Sequence, residues 1–495
     1  MNSCCADKAV KIDTENVHIK ENGAVVLEGK GQSVSFVRIV FKREFGEALL
    51  LGDAWERGYG ELEWKSPDEN EKMPWYFLAK GKDKIYGYGV KTQPDALCFW
   101  QCGDKMVTLT LDVRNGTFPT IINDEKLELC RIVTAEYDGD AFDAARAFCA
   151  EMCDNPRSAD RPIFGGNDWY CCYGDNSFKK IVEHTKRIVL CSSGLKYKPY
   201  MVIDDGWEIC HHQSENDYEY YNGGPWKYCN SNFGDMKKTA DRISELGAIP
   251  GIWFRPLWTT EKFPEKYYLK HDGIKYTLDP SVPEVLELVK SDVRCLADWG
   301  YKLVKHDFST FDIFGKWGFE FDEIGEISFY DKTKTTAQII KNLYAAIREA
   351  AGEDILIMGC NTMSHLSAGV FDIQRTGDDT SGLLWERTKK MGVNTLAFRM
   401  CQHKTFYDVD ADCVGITTKI PWDKNRQWLD VLARSGTPLF VSIADDAFSD
   451  EVKKDITEAF KKAAENTETS KPCDWLETKT PQKWITAFGE AEYDF

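Results

Sequence analysis

Five carboxylates stand where apolar runs of the chain give way to loops. Asp204 and Asp205 follow YMVI, Asp307 follows LVKH, and the pair Asp378 and Asp379 comes just after IQR. Lys305 precedes Asp307 by two positions, Arg375 lies a few residues before the last pair, and Trp169 and Trp253 sit in runs of the same kind. Splitting a glycosidic bond needs two carboxyl groups on opposite sides of the anomeric carbon, one of them protonating the leaving oxygen. Several carboxylates at one mouth would raise each other's pKa unless cations held them ionised, and Lys305 and Arg375 are spaced to do so. Acidic acceptors flanked by indoles suit a neutral, hydroxyl-rich ligand such as a sugar. A single Asp at such a position is as readily a helix N-cap. The set, in phase with two cations and two indoles, favours chemistry.

Such side chains meet only if the elements that carry them converge. Eight short runs lie between Phe164 and Ile443: FGGNDWYCC, YMVIDDGW, IPGIWFRP, LVKHDFS, ILIMGCN, IQRTGDD, TLAFRM and TPLFVSI. Helical patterns separate them. Phe233, Met236, Ala240, Ile243 and Leu246 recur at helical spacing and stop at Gly247; Val285, Val289, Val293 and Leu296 follow Pro283 and end at Gly300. A further helix from about Thr336 to Ala351 closes on Gly352, and Asp450 to Asn466 reads as the last. Strands alternating with helices predict a (β/α)8 barrel, whose chemistry sits at the C-terminal strand ends.

Ahead of it the pattern is different. Val107, Leu109, Leu111 and Val113 alternate with polar residues, the period of a strand with one buried face. Further short runs (AVVLEG, VSFVRIVF, WYFLAKG, KIYGYGV) predict an antiparallel β-sandwich. A helical stretch from Asp140 to Asp154 leads into the linker NPRSADRP. The expected organisation is a β-sandwich over 1–155, a barrel over 163–470 and a short tail over 471–495. Trp55 and Trp64, in GDAWERGYGELEW, read mainly as core, with a place at the pocket rim as the alternative.

Bulk properties narrow the classes. A net charge of -18 over 495 residues argues against nucleic acid and against an anionic membrane surface. No apolar stretch approaches the roughly 20 residues of a bilayer span. The N-terminus shows no apolar signal region. The 17 cysteines are scattered, as expected of free thiols in a reducing cytosol. Of the eight histidines, the candidate ligands His184, His211, His212, His306, His365 and His403 show no ligand spacing, and His211–His212 reads as loop, so neither a catalytic metal nor an organic cofactor is expected.

The succession W-Y, I-D-D-G-W, G-I-W-F-R-P, K-H-D, G-C-N and R-T-G-D-D resembles the α-galactosidases of glycoside hydrolase family 36 and their clan D relatives. The resemblance covers about Phe164 to Ile443, and the β-rich region before it matches that family's N-terminal sandwich in position. It implies Asp307 as nucleophile and Lys305 as a sugar-binding cation. Counting four from Arg375 gives Asp379 as acid/base. Asp204 and Asp205 would grip O4 and O6 of galactose, Trp169 and Trp253 would be pocket indoles, and Cys360 would line the pocket near C2. The chain departs from the family at His306, where an aromatic or aliphatic residue is usual. It departs again in NTMSHLSAG, which lacks the glycine-spaced loop near the 2-hydroxyl, and in its short C-terminal part. The resemblance implies a retaining, exo-acting α-galactosidase of oligosaccharides or glycoconjugates. An α-N-acetylgalactosaminidase, an α-galactosyl transglycosylase or an inactive carbohydrate-binding protein are the alternatives, and a homo-oligomer stays open.

Overall fold

A computed structural model describes residues 9–29, 31–123, 126–213, 220–271 and 276–495. Its centre is a closed parallel barrel. The strands are Phe164–Asn167, Tyr200–Ile203, Ile249–Phe254, Leu303–His306, Leu356–Gly359 and Ile373–Arg375, then Asp408–Asp410 continued by Val414–Ile416, and Leu439–Ile443. Each pairs in parallel with the next, and the eighth returns to the first through Phe164↔Leu439. The seventh strand is broken between its two halves, where Asp412 takes a positive φ of 80°. Its first half pairs with the sixth strand and its second half with the eighth.

Alternation along the strands sorts side chains into layers. Tyr200, Val202, Leu303, Met358, Ile373 and Phe440 pack in one cluster that plugs the barrel. Two residues further along the same strands come Asp204, Lys305, Cys360 and Arg375, so the polar layer lies directly above the apolar one.

The outer helices are Phe178–Cys191, Met236–Leu246, Pro283–Asp298, Thr336–Ala351, Trp422–Ser435 and Asp450–Glu465. Sequence marks their ends well. Asp235 caps Lys238 N, Gly247 takes the left-handed C-cap, and Thr335 with Gln338 forms a capping box. The run TLAFRM, expected as the seventh strand, is instead the α-helix Thr395–Arg399. Every residue of that helix is buried, so it shows no polar face and no period to separate it from a strand.

After the fifth strand only a one-turn helix, Ser364–Ser367, is present, and the N-terminal sheets fill the space. His365 stacks on Trp75 at 5.2 Å, and Gln93 donates to the carbonyls of Leu366 and Ala368. Those sheets form the expected antiparallel sandwich of five and six strands. Trp100 of one sheet packs on Phe77 and Tyr88 of the other, both at 5.9 Å. The C-terminal stretch is folded rather than trailing: Lys471–Pro472, Lys483–Thr486 and Gly489–Glu492 make a small sheet. Trp475 from this stretch packs on Trp64, which is therefore core. No described helix is long and apolar enough to cross a membrane, and the cysteines with described side chains are free thiols.

Candidate active site

At the C-terminal ends of the barrel strands lies a pocket with about 630 Å³ of empty space, part of it open to solvent. Trp169, Asp204, Asp205, Trp253, Lys305, Asp307, Asp378 and Asp379 line it, together with Arg57, Phe308 and Trp317. The structure therefore gathers at one mouth most of the residues singled out in the sequence.

Asp307 is held from three sides. The backbone turns sharply after the fourth strand, with Phe308 at φ 62°, and this lets the Phe308 N–H donate 2.8 Å back to Asp307 Oδ1. The Asn361 N–H donates to the same oxygen at 3.1 Å, and the Trp253 indole donates to Oδ2 at 3.0 Å. A left-handed conformation at a bulky residue costs on the order of 1 kcal/mol, which here fixes the aim of the carboxylate.

Asp204 accepts from Lys305 Nζ at 2.7 Å and from Asn167 Nδ2 at 2.6 Å. Burial pushes the Asp204 carboxyl up against the pull of Lys305. Burial works against the Lys305 ammonium too, yet Asp204 keeps it well above the usual lysine value. Beneath them Asp168 accepts from the Asp204 N–H, and burial lifts its pKa to about 7. Asp205 accepts from Asn222 Nδ2 at 3.0 Å, and Asn222 is itself hydrogen-bonded to Arg255, which pairs with Asp312.

The two adjacent acids differ in setting. Asp378 lies between two guanidinium groups, Arg57 at 3.0 Å and Arg387 at 2.6 Å. Asp379 keeps 36% of its side chain open and meets Arg375 at 3.2 Å and the Trp169 indole at 3.3 Å. Burial tends to raise the Asp379 carboxyl, but Arg375, Arg57 and Lys305 outweigh it and hold it below the usual aspartate value.

Two residues singled out in the sequence, the cation Arg375 and the expected pocket-lining Cys360, lie behind the pocket rather than on it. Arg375 is 2% exposed and acts from beneath, bridging Asp379 and Asp412, the latter at 3.2 Å. Cys360 is 1% exposed, with its sulfur 3.6 Å from Arg375 Nη1 and 3.9 Å from Arg57 Nη1. Both point into the barrel in the layer of Asp204 and Lys305, but neither reaches the ligand space. His306 faces the opposite way, into a cage of Phe254, Tyr344 and Phe371. Neither of its ring nitrogens has a partner among the described residues, and burial drops its pKa to about 3, so the ring is neutral. It takes the packing place of an apolar residue. His211 and His212 lie on a hairpin strand, Cys210–Gln213, rather than in a loop; their side chains fall outside the described residues.

Arg57 is the residue the sequence did not disclose. It comes from the N-terminal region, where Gly58 pairs with Gly377 in the loop after the sixth strand: Gly58 N–H donates to the Thr376 carbonyl and Asp378 N–H to that of Gly58. Glu56 anchors the same segment, accepting from Gly318 N and Asn361 Nδ2. The Arg57 guanidinium then lies over Trp317 at 4.9 Å. Trp55 packs on Trp75 and Phe321 and lines a neighbouring cleft, not this pocket.

No protein-family model matches the chain. Among solved structures it is similar to TtGalA, the α-galactosidase of Thermus thermophilus solved with p-nitrophenyl α-D-galactopyranoside. The TM-score is 0.63 at 16% identity, over 97% of this chain and 96% of that one. A variant of the GH36 α-galactosidase AgaA from Geobacillus stearothermophilus, solved with stachyose, gives 0.64 at 13% identity, covering 94% and 69%. The galactosidase domain of the α-galactosidase-sucrose kinase AgaSK gives 0.61 at 15%, covering 94% and 68%. The chain thus has the fold of the GH36 α-galactosidases, a (β/α)8 barrel behind an N-terminal antiparallel β-domain.

Proposed function

We propose that the protein is a retaining, exo-acting α-glycosidase that releases terminal α-linked galactose from oligosaccharides or glycoconjugates. The observation that carries this reading is the pairing of two unlike carboxylates in one pocket, with indoles and acceptors around them. Asp307, aimed by three N–H donors, attacks the anomeric carbon and forms a glycosyl ester. Asp379, the more open of the adjacent acids, protonates the departing oxygen and then deprotonates the water that frees the sugar. Asp204 and Asp205 offer ionised acceptors to neighbouring hydroxyls, and Lys305 joins them as donor. The solved relatives were captured with an aryl α-galactoside and with stachyose, which supports galactose as the sugar.

A panel of aryl α-glycosides differing at C2 and C4 tests this. Two charge-assisted hydrogen bonds lost at O4 should favour galactoside over glucoside in kcat/KM by roughly a hundredfold or more. Comparable rates on the two would remove Asp204 and Asp205 from sugar recognition. Preference for the 2-acetamido sugar would reassign the substrate, a sugar-transfer product would make it a transglycosylase, and no turnover would leave only binding. Asp307→Asn keeps the shape and removes the attacking charge, so it should lose at least about a thousandfold in turnover with the fold intact.

A further inference from the structure

The first barrel strand leads into a one-turn helix, Trp169–Cys172, that ends in two adjacent cysteines. Their sulfurs stand 3.9 Å apart, both as free thiols. His184, on the helix Phe178–Cys191, places both ring nitrogens 3.7 Å from Cys171 Sγ. One ligand atom from each of the three residues lies within 4.8 Å of the others. A tetrahedral metal with bonds of about 2.3 Å to sulfur and 2.0 Å to nitrogen separates two sulfurs by about 3.8 Å and sulfur from nitrogen by about 3.5 Å. Cys171 already stands at nearly these spacings from Cys172 and His184. We propose that Cys171, Cys172 and His184 form a binding site for one thiophilic divalent cation of the Zn2+ type, with water in the fourth position.

The donor set decides the class of ion. Two thiolates and an imidazole select Zn2+ and its soft relatives over Mg2+ or Ca2+, which take oxygen. The turn is tied down independently: Cys171 N–H donates 3.1 Å to Ser442 Oγ on the eighth strand. The cluster lies outside the candidate active site, yet it closes the helix whose first residue, Trp169, donates to Asp379. A bound ion would fix that turn, so its three ligands are positioning residues with respect to the pocket.

Co2+ is a suitable probe, because tetrahedral thiolate coordination gives intense visible bands that octahedral Co2+ lacks. Titrated into the reduced full-length protein, Co2+ should produce these bands to one equivalent, and Zn2+ should bleach them. Cys172→Ser and His184→Gln should each abolish or strongly weaken the bands with the circular dichroism unchanged. Cys473→Ser, at an exposed thiol elsewhere, should keep them. Zn2+ should also raise the Tm of the wild type but not that of Cys172→Ser. Absent bands in the wild type, or bands undiminished in both ligand variants, would overturn the site. Should Cys172→Ser misfold, His184→Gln decides alone.

Discussion

In the proposed mechanism Asp379 must carry a proton in the first half of the reaction, yet cations surround it. Burial favours the protonated form, but Arg375, Arg57 and Lys305 together hold the carboxyl below its usual value. The alkaline fall of kcat/KM reports the loss of that proton in the free enzyme, so a lowered pKa places the fall on the acidic side. Arg57→Met withdraws one cation and should raise the pKa, moving this limb to higher pH on an unactivated galactoside; Arg57→Lys should move it less. A limb that stays put or moves down in Arg57→Met would show that Asp379 is not the acid. Its substitution gives a second check. Asp379→Ala should cripple substrates with poor leaving groups, spare activated aryl galactosides more, and yield an α-galactosyl azide when azide is added. Azide rescue in Asp378→Ala but not in Asp379→Ala would move the role to the neighbour. Most of these groups were legible in the sequence, because a strand end and the two-residue step back from it are local features: Lys305 and Asp307 needed nothing else. Arg57 did not show, since it reaches the pocket through the docking of a segment some three hundred positions away, which no local pattern records. Cys360 and Arg375 were recognisable by type but not by exposure, which depends on the neighbours that cover them within the layer they share with Asp204 and Lys305.

At the scale of elements, close approach of backbones in the barrel leaves little room for side chains. Gly165, in the first strand at φ 155°, would put an added Cβ 2.0 Å from the Tyr200 carbonyl oxygen of the second strand. That atom belongs to a neighbouring strand and cannot yield, so Gly165→Ala should cost about 3 kcal/mol or more and lower Tm by several degrees. Gly194 is the control: its φ is 81°, but nothing lies within 4 Å of its added Cβ, so Gly194→Ala should cost only about 1 kcal/mol. Equal shifts in the two variants, measured by thermal melts, would show that the strands accommodate the methyl. Amphipathic helices and their glycine stops were readable because one face meets water. The seventh strand was not, for a matching reason. Its residues Asp408, Asp410 and Asp412 alternate like an exposed polar edge, yet all three are buried and carried by partners: Asp408 accepts from Ala159 N, while Asp410 and Asp412 face Arg375. Charge met by partners from elsewhere in the fold looks, in one dimension, like charge facing solvent.

For the whole molecule, the test is the stereochemistry of the first product. Carboxyl groups acting as nucleophile and acid in a retaining site stand about 5–5.5 Å apart, against about 6.5–9.5 Å when a water must fit between base and sugar. Double displacement requires the α anomer to form first, visible by proton NMR before mutarotation; a β anomer would make Asp307 a base. The pocket is not the property of the barrel alone. Arg57 lines it from the N-terminal domain, and the segment bearing Arg57 is locked to the barrel by Glu56 and by the Gly58–Gly377 bridge. A gene fragment encoding the barrel alone would therefore keep Asp307 and Asp379, the proposed nucleophile and acid, but lose the Arg57 guanidinium beside Asp378 and Asp379. Recombination at the linker between sandwich and barrel would exchange the one pocket residue, Arg57, that the barrel does not supply. The two halves are constrained to change together, and new specificity should arise more readily by substitution at their seam than by shuffling either half.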